Sequence, residues 1–461
     1  MPDQPPNTDT LRQLDQKYLW HPFTQMQRWQ REKPVIIAEG EGNYLIDSDG
    51  KRYLDAVSSL WVNVHGHRCP TLDDALIKQS RQLAHSTLLG LTNIPAIEFA
   101  EALINVAPAS LQRVFYSDSG STAVEVALKI AYQYWQHTGR PNKSKFVALD
   151  AAYHGDTIGS VSVGGIDLFH QIFHPLLFSV ERVPTPHAYR CAVQDLPHSP
   201  KECSAHCLAA LEALFQEKGD QLAALVIESR MQGAAGMLLH PPGYLASVAK
   251  LCRQYEILLI CDEVATGFGR TGEYFSCMAE NVEPDLMAVA KGITGGYLPL
   301  AATLCSEEIY NAFLGGADKT FFHGHTYTGN PLACAVALAS LRLIDESDLL
   351  NTVRKRSTTL QEQLTQHIAP IANVGQIRQL GLMVGIELVA DRASRKPFPP
   401  AERLGAEICQ RAREHGLLLR PLGDVIVLMP PLTISPTEID FLIQGLQTSI
   451  EEVLARRTEL P

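Results

Sequence analysis

The chain has 461 residues, 46% of them hydrophobic and 19% charged, with a formal net charge of −11. A chain of this length exceeds a single hydrophobic core and divides into lobes, and so ordinary a composition excludes a disordered or collagen-like polymer. The acidic balance excludes a general attraction to nucleic acid or anionic membrane and favours small-molecule chemistry.

From the N-terminus, the start Met1-Pro2-Asp3-Gln4-Pro5-Pro6 has no basic-then-apolar leader pattern, and no apolar run of about 18 residues follows. A cytoplasmic protein is expected. The first 20 residues are polar and rich in Pro and Gln, which predicts a loosely held arm up to Trp20-His21-Pro22-Phe23. Val35-Ile36-Ile37, Tyr44-Leu45-Ile46 and Tyr53-Leu54-Asp55, separated by turn residues, predict a small antiparallel piece. From about residue 71, helical stretches alternate with short apolar runs: Val114-Phe115-Tyr116, Phe146-Val147-Ala148-Leu149, Ala224-Leu225-Val226-Ile227, Ile257-Leu258-Leu259-Ile260 and Leu286-Met287-Ala288-Val289. Such runs suit buried strands of a mostly parallel sheet covered by helices on both faces, with ligands at the strand carboxyl ends. A long helix over 335–344 then leads to strands at 375–388, 416–420 and 425–429, a smaller α+β lobe. The expected division is 1–70 for the arm and a segment lying with the small domain, 71–335 for the large domain and 336–461 for the small one.

Four motifs fall at predicted strand ends, and a fifth follows at a short distance. Asp118-Ser119-Gly120-Ser121-Thr122 opens a helix, where free amides and the dipole favour a phosphate, although taken alone a plain N-cap is the favoured reading. Tyr153-His154-Gly155-Asp156 offers a ring that could stack on a flat cofactor or simply fill the core. Asp262-Glu263 places two carboxylates at a buried strand's end, where they need a cation, a protonated nitrogen or a turn to cap. Gly267-Phe268-Gly269-Arg270-Thr271-Gly272 matches the dinucleotide pattern in letters, but the segment 263–266 intervenes after the strand and no helix follows. Lys291 stands in a Gly-rich turn, where desolvation lowers an amine's pKa towards what imine formation needs.

Metal readings are weaker. His65-Gly66-His67 and His323-Gly324-His325 lack a supporting third ligand. Ten cysteines are too few for a secreted scaffold. Cys191, Cys203 and Cys207, near His198 and His206, lack Cys-x-x-Cys knuckles and read as a surface insertion leading into a helix over 207–214. No metal is expected.

Together these residues resemble the class III, or omega, aminotransferases, from about residue 18 to the end. The signature is Asp262-Glu263-Val264-Ala265-Thr266-Gly267-Phe268-Gly269-Arg270-Thr271-Gly272 with Pro284-Asp285 and Lys291-Gly292. The resemblance implies the pyridoxal-phosphate transferase fold type I, similar to aspartate aminotransferase, with a large mostly parallel α/β domain and a smaller α+β domain. It implies that Lys291 holds pyridoxal 5'-phosphate as a Schiff base and later carries the proton. Asp262 would pair with the ring nitrogen, Tyr153 would stack on the ring, and Gly120 and Ser121 would hold the phosphate. His325 and Thr326 would complete the cofactor site of a neighbouring subunit in a homodimer.

Trp20-His21-Pro22-Phe23-Thr24, Asn63-Val64-His65-Gly66-His67 and Tyr132-Gln133-Tyr134-Trp135 resemble the branch of the class that aminates 8-amino-7-oxononanoate in biotin biosynthesis. That likeness implies a substrate site of Phe23, Leu60, Trp61, Tyr153, Lys291, Gly324 and Arg420, with the Arg420 guanidinium binding the substrate carboxylate. The branch commonly uses S-adenosylmethionine as donor and carries Tyr and Trp where this chain has Phe23 and Leu60, so lysine is the alternative donor. Another class III aminotransferase, or a non-catalytic binding protein on this fold, is the remaining reading.

Overall fold

A computed structural model describes residues 7–191 and 199–458; the opening residues Met1 to Pro6 and His198 lie outside them. The N-terminal stretch expected as a loose arm instead forms a helix, Thr8–Tyr18. Its polar residues are the reason: Asn7 caps it by accepting from the Thr10 amide, Thr8 donates to Asp49, and Asp15 accepts from Trp29 Nε1 at 2.7 Å. Polarity here marks capping and tertiary hydrogen bonds, which composition cannot distinguish from solvation.

Strands β1 (Ile37–Glu41), β2 (Tyr44–Asp47) and β3 (Arg52–Asp55) form the expected antiparallel piece. Its first strand begins only at Ile37, so Val35 and Ile36 precede the pairing. The central sheet uses β4 (Leu111–Ser117), β5 (Lys145–Leu149), β6 (Val180–Val183) and β7 (Leu222–Glu228). A short hairpin, β8 (Met231–Gln232) and β9 (Leu238–Leu239), precedes β10 (Leu258–Asp262), β11 (Leu286–Val289) and β12 (Ala301–Ser306). The seven strands run in the order β4-β12-β11-β10-β7-β5-β6, antiparallel only where β12 meets its two neighbours. Every residue of β7, β10 and β11 is buried, which explains their unbroken apolar character: helices cover both faces. The register pairs Asp262 with Glu228 on one side and with Ala288 on the other, so two carboxylates stand in one row at the sheet's carboxyl edge.

The C-terminal segment carries β13 (Val374–Leu380), β14 (Met383–Leu388), β15 (Leu417–Leu418), β16 (Arg420–Leu422) and β17 (Val425–Leu428). The stretch 375–388 expected as one strand is a hairpin, turned at Gly381 with φ +59°, where an added Cβ would lie 2.5 Å from the Arg270 carbonyl oxygen. β15 leaves this sheet to pair in parallel with β3, joining the two ends of the chain. No described helix is long and apolar enough to cross a membrane.

Candidate active site

A cavity of about 740 Å³ opens at the carboxyl edge of the central sheet, lined by Ser121, Tyr153, Glu228, Asp262 and Lys291 among others. One wall is the start of the helix Gly120–His137, whose capping box pairs Ser119 and Thr122 and whose first residues Gly120 and Ser121 line the cavity. Backbones crowd tightly here. A Cβ on Gly120 would come within 2.5 Å of Val264, and one on Gly155 within 2.3 Å of Ser121 Oγ. Ser121 Oγ also accepts from the Thr157 amide at 2.9 Å and meets Thr157 Oγ1 at 2.7 Å. Amides, two hydroxyls and a helix N-terminus thus converge as an anion cradle.

The floor is made of charges withdrawn from water. Asp262 is buried, accepts from the Val264 amide at 2.9 Å through Oδ1, and meets His154 Nδ1 at 2.7 Å through Oδ2. His154 is buried as well, and its Nε2 has no partner among the described residues. Glu228 accepts from the amides of Gly233 and Tyr153, at 3.0 and 3.3 Å. Burial, reinforced by neighbouring Asp262, pushes the Glu228 carboxyl up to about 8. Lys291 has φ 49°, a left-handed conformation costly for a side chain this long, and its Nζ lies 5.4 Å from the Trp61 ring centre. Burial draws the Lys291 ammonium below its ordinary pKa, against the opposing attraction of Asp262 and Glu228. Tyr153 donates to Asp156 at 2.8 Å, and burial raises its phenol well above the usual range.

The two adjacent carboxylates part company. Glu263 turns away from the cavity and accepts from the amides of Ser276 and Cys277, at 3.0 and 2.8 Å, and from Thr266 Oγ1. It caps the loop that carries the rival glycine motif. Within that loop Arg270 is buried, donating to the carbonyls of Pro430 and Asn63 and to Ser58 Oγ. Burial lowers its guanidinium to about 9, opposed by Asp55. The motif therefore clamps chain ends together and leads into no phosphate-binding helix.

The mouth is built differently. Ser58, Ser59 and Trp61 all have positive φ, at 49°, 60° and 66°. Asp55 holds the turn by accepting from the Ser59 amide at 2.8 Å and by pairing with His67 at 2.9 Å. Leu60 is exposed at the cavity rim, and the buried Trp61 beside it has no partner for Nε1 among the described residues. Phe23 lies on the N-terminal arm and meets Phe169 edge-on at 5.4 Å; Phe169 in turn meets Tyr153 at 6.3 Å.

Of the residues proposed from sequence, Gly120, Ser121, Tyr153, Asp262, Lys291, Leu60 and Trp61 line this one cavity. Phe23, Gly324, His325, Thr326 and Arg420 do not. Thr326 is exposed, and Arg420 on β16 has no ion-pair partner among the described residues. The histidine triplets disperse: His65 bonds Ser340, His67 bonds Asp55, His323 meets Lys129, and His325 accepts from the Tyr327 amide. Three contributors escaped the sequence reading: His154 as the partner of Asp262, Glu228, and Phe169. Glu228 was within reach, since it ends an apolar run just as Asp262 does. Phe169 carries no comparable local signal.

The family profile described as Aminotransferase class-III matches residues 25–450. The adenosylmethionine-8-amino-7-oxononanoate aminotransferase of Geobacter sulfurreducens is 52% identical over 455 residues, which cover 98% of this chain and 99% of that relative. Its namesake in Nitratidesulfovibrio vulgaris is 54% identical over 450 residues, 96% of this chain and 82% of the relative. Among solved structures, the Methanocaldococcus jannaschii enzyme of the same name matches with a TM-score of 0.91 at 41% identity, covering 96% of this chain and 99% of that one. An amine transaminase from an uncultivated Pseudomonas species, solved in its PLP-bound form, matches with a TM-score of 0.90 at 37% identity, covering 95% and 99%.

Proposed function

The chain belongs to the class III aminotransferases, and from that premise we propose that it aminates 8-amino-7-oxononanoate to 7,8-diaminononanoate, with S-adenosylmethionine as amino donor. The observation that carries this is near-full-length identity of about one half to relatives named for that reaction.

The cofactor is pyridoxal phosphate, and the residues present fit it: a cradle too tight for a Cβ at Gly120 or Gly155, a buried carboxylate, and a lysine whose amine is desolvated. When bound, it supplies a pyridinium ring that draws off the electron pair left by a departing carbon-bound proton. Gly120, Ser121 and Thr157 would hold its phosphate, and Tyr153 would cover one ring face. Asp262, oriented by His154, would keep the ring nitrogen protonated. Lys291 Nζ, with its pKa drawn down, would take the proton from the amine-bearing carbon as general base and deliver it elsewhere as general acid, never back to the same carbon. Glu228, its carboxyl raised to about 8 by burial and by Asp262, carries its negative charge less readily than Asp262 does, so Asp262 is the principal counter-charge to Lys291.

We further propose a homodimer in which Gly324, His325 and Thr326 serve the neighbouring copy's cavity. Their distance from their own cavity supports it, as do large exposed apolar side chains at Leu89, Phe322 and Tyr327. Arg420 is the proposed carboxylate-binding cation, a role its unpaired guanidinium supports. A second donor, lysine, is favoured by one observation: Leu60 leaves the rim exposed and without a second indole for a large sulfonium donor.

The test offers purified enzyme 8-amino-7-oxononanoate with S-adenosylmethionine or lysine and follows 7,8-diaminononanoate by mass. Product with the first donor is expected. Product with lysine alone would replace the donor assignment, and turnover of simple keto acids without any diaminononanoate would overturn the substrate.

A further inference from the structure

The cysteines that the reaction does not use are unequal. All ten are free thiols, and nine are buried; only Cys191 is partly exposed. Cys191 follows a strap, 184–191, that leaves β6 and crosses to the C-terminal sheet. There Arg190 pairs with Glu387 on β14, and Arg395 donates to the Tyr189 carbonyl oxygen. At the end of this strap the Cys203 thiol donates to Cys191 Sγ at 3.7 Å. Cys203 is buried in the first turns of the helix Pro200–Lys218, with Cys207 one turn further along the same face. Cys261 and Cys277 also lie side by side, but both are fully buried and closed to any oxidant.

We propose that Cys191 and Cys203 form a peroxide-responsive redox pair whose disulfide fastens the strap to the helix Pro200–Lys218. The sulfur of Cys191, the partly exposed residue of the pair, attacks one oxygen of hydrogen peroxide, releasing water and leaving a sulfenic acid. Cys203 then attacks that sulfur, and its proton leaves with the hydroxyl as a second water. Two thiols and one peroxide thus give one disulfide and two waters, the thiols losing the two electrons that the peroxide gains. The sulfurs need to close only from 3.7 Å to about 2 Å, a movement within reach of a χ1 adjustment and a small shift of the strap. In a reducing compartment the pair rests as thiols and closes transiently. Oxidation then ties the strap at both ends, to the helix through sulfur and to the C-terminal sheet through Arg190.

The test treats the cofactor-loaded protein with hydrogen peroxide, digests it without reduction and maps the products by mass. A peptide linking Cys191 to Cys203 is expected, lighter by two hydrogens, and dithiothreitol should restore both thiols. Cys191→Ser, a change at a partly exposed position, should abolish the link while leaving turnover of the untreated enzyme unchanged; Cys207→Ala should leave the link intact. Protection of the Arg190–Cys191 bond from trypsin should accompany oxidation and vanish in Cys191→Ser. Recovery of Cys191 as sulfinic acid with Cys203 still a thiol would overturn the proposal. So would a link from Cys203 to Cys207 or from Cys191 to a second chain.

Discussion

The floor and the mouth of the cavity are built by opposite means. On the floor, Asp262, Glu228 and His154 are buried, their carboxylates meet amides or a ring nitrogen, and the sheet register fixes which residues face one another. At the mouth, Ser58, Ser59 and Trp61 hold strained backbone and Leu60 is exposed, while Phe23, outside the lining, reaches Tyr153 only through Phe169 from a distant segment. In the proposed function the floor would perform the chemistry that any substrate of the class requires, which suits its burial. The mouth would select which amine enters, and selection needs only side-chain shape at a rim.

The sharpest way to break this contrast is to damage the floor. Lys291→Ala should lower amine transfer by about 10⁴-fold, the loss expected when the proton carrier is removed, measured as turnover at saturating donor. Asp262→Asn should cost on the order of 10³-fold in kcat with little change in KM, because charge stabilisation is lost where binding contacts survive. Arg270→Met lies between the two regions. It strips the shared clamp from Ser58, Asn63 and Pro430 and should lower unfolding free energy by about 3 kcal/mol in denaturant titrations. A mouth that loosened without any loss of stability would show that the clamp is ornamental.

At the rim, Leu60→Trp should shift the ratio of kcat/KM for S-adenosylmethionine over lysine by about 10-fold while the better donor keeps most of its rate. An equal fall with both donors would place Leu60 with the floor instead.

The smallest expected effect tests Glu228. Its carboxyl is raised from 4.5 to about 8, so the folded chain holds a proton that the unfolded chain releases. The stability this gives is complete below the unfolded value and is lost as pH rises through about 8. Glu228→Gln should therefore gain on the parent by a few degrees in Tm as pH climbs across that window, read on cofactor-free protein. A difference independent of pH would show that Glu228 is ionised throughout.

Much of the floor was legible along the chain, because its residues close or follow apolar runs: Asp262 at the end of β10, Lys291 just past β11, Tyr153 a few residues past β5. The helix Thr8–Tyr18 was not, since polar residues that cap and bridge look like residues that merely face water. Nor was Gly381, whose turn splits one apparent strand into a hairpin.

By itself the sequence determined the alternation of strands and helices and the edge of the sheet at which polar residues gather. Those follow from apolar periodicity and from residues placed next to strand ends, both local properties, whereas the roles of Lys291 and Asp262 came from the family resemblance. Only the tertiary structure decided that Glu263 caps a loop while Asp262 faces the cavity, that Arg270 clamps the chain instead of cradling a dinucleotide, and that Phe169 joins Phe23 to Tyr153. Each of these turns on which way a side chain points and which distant segment it meets, and no neighbouring residue encodes that direction.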